Sequence, residues 1–264
     1  MANSCGSGAT PPSSGACGAQ PGGRFTLEDN PITSANAQLS VDELRQRIGQ
    51  AGDPGVMEVY AYAVTSVEPY ADLFLQTGSG PNFAGGLITL CTCKHEMRTA
   101  HSSQQWSQGD FWIAGLSSWD VKFGKRQSLV YLMRVAAAYD SQAALVEALR
   151  QSGRNDIVES KSASANVLGD LYLPKKALPT LADRLIVDNY LPPILGHAHH
   201  GHPQDTEWEA DIRHIGKNTR PAALLVGDPE WSFTWDRPMV VRSHPGPTRS
   251  CRRWTLSHLL NDLV

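Results

Sequence analysis

Lys94 and Arg98 stand four residues apart, so on a helix the two cations share a face and repel unless an anion lies between them. Phosphate is the natural anion there, since arginine can grip it with two parallel hydrogen bonds; the plain alternative is an exposed basic turn. Trp231, Phe233 and Trp235 alternate, which puts all three rings on one face of a strand. Such rings either fill a core or wall a pocket in which a nucleobase stacks, at roughly 1–3 kcal/mol per base. Asp110 and Asp170 each follow a glycine and precede an apolar segment. That is ordinary turn chemistry, or a carboxylate placed to accept from a base edge or to act as general base. His197, His199, His200 and His202 crowd into HAHHGH, followed by Asp205 and Glu207. These are metal-ligating types, but the spacing matches no standard helical site, so the segment reads as a solvated loop and no metal centre is assigned. Cys91-Thr92-Cys93 is the close cysteine pair, weaker as a zinc signal than paired C-x-x-C knuckles and consistent with a buried strand. Cys93, Asp110, Asp170 or a histidine could serve as nucleophile or base, but no nucleophile–base pair is visible in one dimension. Arg237, Arg242, Arg249, Arg252 and Arg253 occupy a stretch with no acidic residue before Trp254, which is either a phosphate-backbone contact or a solvated basic tail.

Composition narrows the classes that can host this chemistry. The chain has 264 residues, 41% hydrophobic and 19% charged, which suits one or two globular domains. Lys plus Arg number 23 against 26 Asp plus Glu, a net charge of -3 that excludes a strongly basic nucleic-acid coat protein but not a local basic patch. Cys5, Cys17, Cys91, Cys93 and Cys251 make an odd set in a chain that needs no staples, so a reducing cytoplasm is the expected compartment. No apolar run is long enough for a membrane span, and no secretory signal is expected from the first residues. A P-loop or Rossmann glycine loop is missing, which disfavours an NTPase or a nicotinamide enzyme, and no cofactor is assigned.

The elements that must hold these residues follow from patterning. Residues 1–24 are nearly all Gly, Ala, Ser and Pro, with Arg24 the one charged side chain, and read as a flexible leader. Ser40 and Glu43 have capping-box spacing ahead of Leu44 and Ile48, which predicts a short helix within a 1–55 leader segment. The folded domain is expected over 56–240, with a basic tail and a short C-terminal helix over 241–264. Strands are expected at Val56–Thr65, with Tyr60, Tyr62 and Val64 on one face, and at Leu87–Cys91, Phe111–Leu116, Ser128–Ala137, Arg184–Val187, Ala222–Val226 and Trp231–Trp235. Lys94–His101 reads as a short helix or turn, Ser141–Gln151 as a helix, and Asn155–Leu168 as loop. Many short strands and few helices predict an α+β fold, a small, mostly antiparallel β-barrel with flanking helices.

The order of these signals carries a resemblance. Gly109-Asp110-Phe111-Trp112 feeding a strand, a polar loop and then Leu129–Val135 look like the small barrels of the PUA-like superfamily, which includes the ASCH, EVE and YTH domains. More specifically, the chain is similar to the nucleotide-modification-associated domain family of type two. The resemblance runs through Tyr60–Val64, Leu87–Lys94, Arg98, Gly109–Ile113, Leu129–Val135, Gly169-Asp170 with Tyr172, and Leu224–Val226 followed by Trp231, Phe233 and Trp235. Thr99 stands where the family has a second basic residue, and Gly115–Trp119 departs from its glycine-rich loop. The resemblance implies a PUA-like barrel that binds or recognises a modified nucleobase in DNA. Lys94, Arg98, Asp110, Trp112, Asp170, Tyr172, Trp231 and Trp235 would form the nucleotide site, within a DNA-modification or phage-defence system. The alternative is an enzyme that alters a nucleotide or DNA base. The implied partner is nucleic acid or nucleotide, with no membrane.

Overall fold

The structure, a computed structural model, describes residues 36–71, 73–119, 124–199, 207–242 and 251–264. The leader through residue 35, and with it Cys5 and Cys17, lies outside the described residues, as do His200, His202, Asp205 and Arg249. The chain enters through helix α1 (Val41–Gly49), which forms where the capping box places it. Glu43 N–H donates to the Ser40 hydroxyl at 3.3 Å, the Glu43 carboxylate accepts from Ser40 N–H at 2.8 Å, and Leu44 and Ile48 are buried. Strand β1 (Glu58–Val64) follows, then a hairpin of β2 (Val67–Tyr70) and β3 (Leu73–Gln76). Next come β4 (Thr89–Leu90), α2 (His95–Arg98), α3 (Ser103–Gln108), β5 (Phe111–Ser117) and β6 (Gln127–Tyr139). Four helices, α4 (Gln142–Gln151), α5 (Asn155–Lys161), α6 (Leu181–Arg184) and α7 (Trp208–Arg213), precede the long β7 (Leu224–Val241). The edge strand β8 (Arg252–Thr255) and α8 (Leu256–Asp262) close the described chain.

Six strands form one sheet in the order β4-β7-β6-β5-β1-β8. The β1–β5 pairing is parallel, because the hairpin, β4, α2 and α3 intervene as a crossover, and the other four pairings are antiparallel. The sheet curls into a half-barrel. On its inner face Tyr60, Tyr62, Leu90, Ile113, Tyr131, Met133 and Leu225, drawn from five strands, meet in one cluster closed by Met97 of α2 and Trp106 of α3. The outer face splits into two separate patches. One puts Val59, Ala61, Trp112, Phe233 and Trp235 beneath α1 and α8; the other puts Leu87, Cys91, Leu224 and Val226 beneath α4 and α5. Gly115 is required where β5 crosses β6, since a Cβ there would fall 2.2 Å from the Tyr131 ring.

The α+β class and the curled sheet with flanking helices therefore stand, while the sheet stays open between β4 and β8 instead of closing into a barrel. Three local expectations are corrected. Asn155–Leu168 is not all loop: it holds α5, which buries Ile157, Val158 and Lys161. Arg184–Val187 is no strand but the end of α6 and a short 3-10 turn. Ala222–Val226 and Trp231–Trp235 are pieces of the single strand β7, whose register against β6 shifts around Gly227–Trp231. Beyond residue 241, β8 pairs with β1 and α8 packs on the same outer core as α1.

Candidate functional site

The end of β4 runs into an unusual turn. Cys93 and Lys94 both adopt left-handed backbone (φ 59° and 48°), a conformation that costs non-glycine residues energy and persists only where surrounding contacts enforce it. Those contacts converge on Asp211 of α7. The Cys93 N–H donates to Asp211 Oδ1 at 3.2 Å, and His95 Nε2 meets the same oxygen at 2.6 Å. Tyr172 O–H donates to Oδ2 at 3.1 Å, and His199 Nε2 is bonded to Oδ2 as well. Arg98 places a guanidinium nitrogen 3.9 Å from Oδ1. The carboxyl is fully buried. Burial pushes its pKa up, but the His199 and His95 hydrogen bonds outweigh burial and hold it well below the usual carboxylate range. Asp211 is thus an ionised group in the interior, tolerable because it is paired and saturated with donors.

Each partner is positioned by its own element. His95 opens α2 and stacks on His214, centroids 4.7 Å apart. Burial lowers its pKa, the hydrogen bond to Asp211 opposes this, and the Arg98 charge adds to the lowering. Arg98, also on α2, is fully buried; it donates to the Cys93 carbonyl at 2.8 Å and the Ala223 carbonyl at 3.0 Å, tying α2 to the residue that leads into β7. Tyr172 is set by a Gln142 contact to its N–H at 3.2 Å. Backbone of the His199 segment is pinned by Ser79, whose N–H donates to the Ala198 carbonyl at 2.8 Å and whose hydroxyl donates to the His199 carbonyl at 3.2 Å. Lys94 is partly exposed, with its ammonium 5.3 Å from the Tyr62 ring centroid. Burial moves its pKa down.

Of the residues expected at a nucleotide site, Lys94, Arg98 and Tyr172 come together here. Arg98 does not sit as an exposed phosphate grip: it is fully buried, its Nε and Nη1 donate to backbone carbonyls, and its Nη2, without a hydrogen bond, lies 3.9 Å from Asp211 inside the core. Asp170 lies two residues before Tyr172 but points into a different buried cluster. There it accepts from Thr89 at 2.6 Å near Lys161, whose ammonium donates to Asn82 Oδ1 at 2.7 Å. Burial raises the Asp170 pKa and pushes Lys161 down to about 8. Asp110 sits apart at the surface, paired with Arg134 at 2.8 Å. The aromatic strand takes the first of its two readings, a core. Trp112, Phe233 and Trp235 are buried in the outer-face core, and Trp231 lies partly covered under the Arg47 guanidinium, 4.3 Å from its ring centroid. They do not wall a recess, because α1 and α8 seal that face.

His197 and His199 are buried, so this part of the histidine run is not solvated; among the described residues no group of three or more His, Cys, Asp or Glu could hold a metal ion. Burial, then the Asp211 charge, pushes the Cys93 thiol up to about 12, so it is a poor nucleophile near neutral pH. Among the described tail arginines, Arg237, Arg242 and Arg252 are exposed; Arg253, also exposed, pairs with Glu58 and caps the Tyr60 ring at 5.3 Å. Asp211 and His95 were absent from the sequence reading. The available signal was a polar segment, Trp208–Arg213, with a helical turn's worth of apolar spacing between Trp208 and Ile212.

No family model, no curated protein and no solved structure matches this chain. The arrangement itself offers a rigid polar floor: a saturated carboxylate, an imidazole reached by solvent, and a lysine on a strained turn beside a ring face.

Proposed function

We propose that this chain recognises a nucleotide bearing a modified base, at the turn formed by Cys93, Lys94 and His95 over Asp211. One observation carries the reading. Cys93 and Arg98 from one short segment and Tyr172 from another, all positions on which the resemblance to the nucleotide-modification-associated family rests, meet around a single carboxylate, with Lys94 next to Cys93 on the same turn. In this reading Lys94 supplies the cation for phosphate, Arg98 and Asp211 hold the turn in its left-handed form, and His95 faces the base. The half-barrel is then an opened relative of the PUA-like barrels, working in the cytoplasm beside a DNA-modification or phage-defence system.

The test is fluorescence anisotropy at low salt with a labelled single-stranded oligonucleotide carrying one 5-hydroxymethylcytosine, against its unmodified twin. The modified strand is expected to bind more tightly. Lys94→Ala is expected to weaken binding by about tenfold, the loss of one charge-assisted contact. Absence of binding to both strands contradicts the proposal.

A second reading, an enzyme that alters a nucleotide or DNA base, is favoured by the pairing of an ionised Asp211 with a His95 whose pKa is lowered, the arrangement of an oriented general base. A mass change in nucleosides incubated with the protein separates it from recognition alone.

A further inference from the structure

We infer that His95, held by Asp211 with Nε2 as the donor, presents Nδ1 as a hydrogen-bond acceptor that selects nucleotides whose base modification carries a hydroxyl or amine donor. This rests on the recognition reading above and names the ligand class it implies.

An ionised Asp211 can only accept, at about four lone-pair sites. Four donors fill them: the Cys93 N–H, the Tyr172 hydroxyl, and the Nε2 atoms of His95 and His199. Asp211 therefore has no capacity left for a ligand, and it acts as a clamp and not as the recognising group. The same bond settles the imidazole. If Nε2 must donate to the carboxylate, a neutral ring keeps its lone pair on Nδ1, which can only accept. The His95 side chain is 17% exposed, whereas His199 is fully buried, so His95 is the ring that reaches solvent from this clamp.

The groups that face His95 keep it in this state. Asp211 and His214 face it from α7 and the residue following that helix; Arg98 and Glu96 share α2 with it; Lys94 precedes it; Tyr172 and His199 act through Asp211. Arg98 and His214 oppose protonation of the ring, and burial opposes it more strongly than either, against the pull of Asp211. The ring's pKa is thus held below the ordinary imidazole value of about 6.5, so the ring is neutral at pH 7 and loses its acceptor on acidification below that value.

The experiment pairs two readouts. Long-range proton–nitrogen NMR of the free protein at pH 7 reports the tautomer directly, and the expected signature is a protonated Nε2 and a bare Nδ1 on His95. A ring protonated on Nδ1 overturns the inference without any ligand. Calorimetry then compares the monophosphates of 5-hydroxymethyl- and 5-formyl-deoxycytidine, which differ by a donor against an acceptor at one position. The hydroxymethyl form is expected to bind about tenfold more tightly, with the preference lost in His95→Phe and on acidification to pH 5. Equal affinities, or a preference that survives His95→Phe, overturn the inference while leaving nucleotide recognition standing. Failure of both nucleotides to bind removes the recognition reading and this inference with it.

Discussion

Asp211 holds its charge in the interior because four donors and a nearby guanidinium surround it, and neutralising it should be costly. Asp211→Asn puts an amide donor opposite groups that are all donors, so about 3–5 kcal/mol of stability is expected to be lost, the usual result of breaking a buried charged network. The pH dependence has a defined sign. A carboxyl whose folded pKa lies below its unfolded value of about 3.9 adds stability that is present above that value and is lost as pH falls through the folded one. Denaturant unfolding followed from pH 6 to pH 2 should show this acid-side loss in the wild type and a flatter profile in Asp211→Asn; parallel profiles would contradict the ionised assignment. This residue was illegible in the sequence for a physical reason. Its partners lie 118 positions away at Cys93 and 39 away at Tyr172, and an aspartate in a polar segment looks like every solvated aspartate. Lys94 and Arg98 stand out in the sequence by their spacing and Tyr172 by the resemblance, but spacing alone could not show that Arg98 is buried and braces the turn from inside.

Elements whose signals are local came through. The Ser40–Glu43 box predicts α1, and the structure shows both of its hydrogen bonds. Ser40→Ala should cost about 1 kcal/mol in chemical denaturation, and Ser40→Asp should restore most of it, as other side chains able to cap this terminus would. An unchanged midpoint in Ser40→Ala would mean that α1 is held by Leu44 and Ile48 alone. Elements that depend on distant packing did not come through. Helix α5 has few apolar residues and is stabilised by Ile157 and Val158 docking under the outer face of β7. Strand β7 reads as two pieces because Gly227-Asp228-Pro229 carries turn chemistry; in the sheet that segment is where pairing jumps from Val135–Gly227 to Met133–Ser232, an irregularity that admits a proline.

At the scale of the molecule, chain ends decide where a site can be. Helices α1 and α8, one from each end of the described chain, cover the face that carries Trp231, Phe233 and Trp235, so of the two roles the period-two reading left open for those rings the structure takes the core and not the pocket wall. Trp235, 2% exposed and donating from Nε1 to the Leu39 carbonyl at 2.8 Å, belongs to the core. Trp235→Ala should therefore lower stability by about 3–5 kcal/mol, and in the fraction that stays folded nucleotide affinity should be unchanged. No helix among the described residues is long and apolar enough to cross a membrane. The polar cluster lies elsewhere, beyond the end of the two-residue β4 and between α2 and α7. The most direct measurement is a proton–nitrogen correlation titration of the labelled protein with 5-hydroxymethyl-deoxycytidine monophosphate. Shifts concentrated at Cys93–Arg98, Tyr172 and Asp211 are the result this account predicts; shifts centred on Trp231–Trp235, or none anywhere, would contradict it.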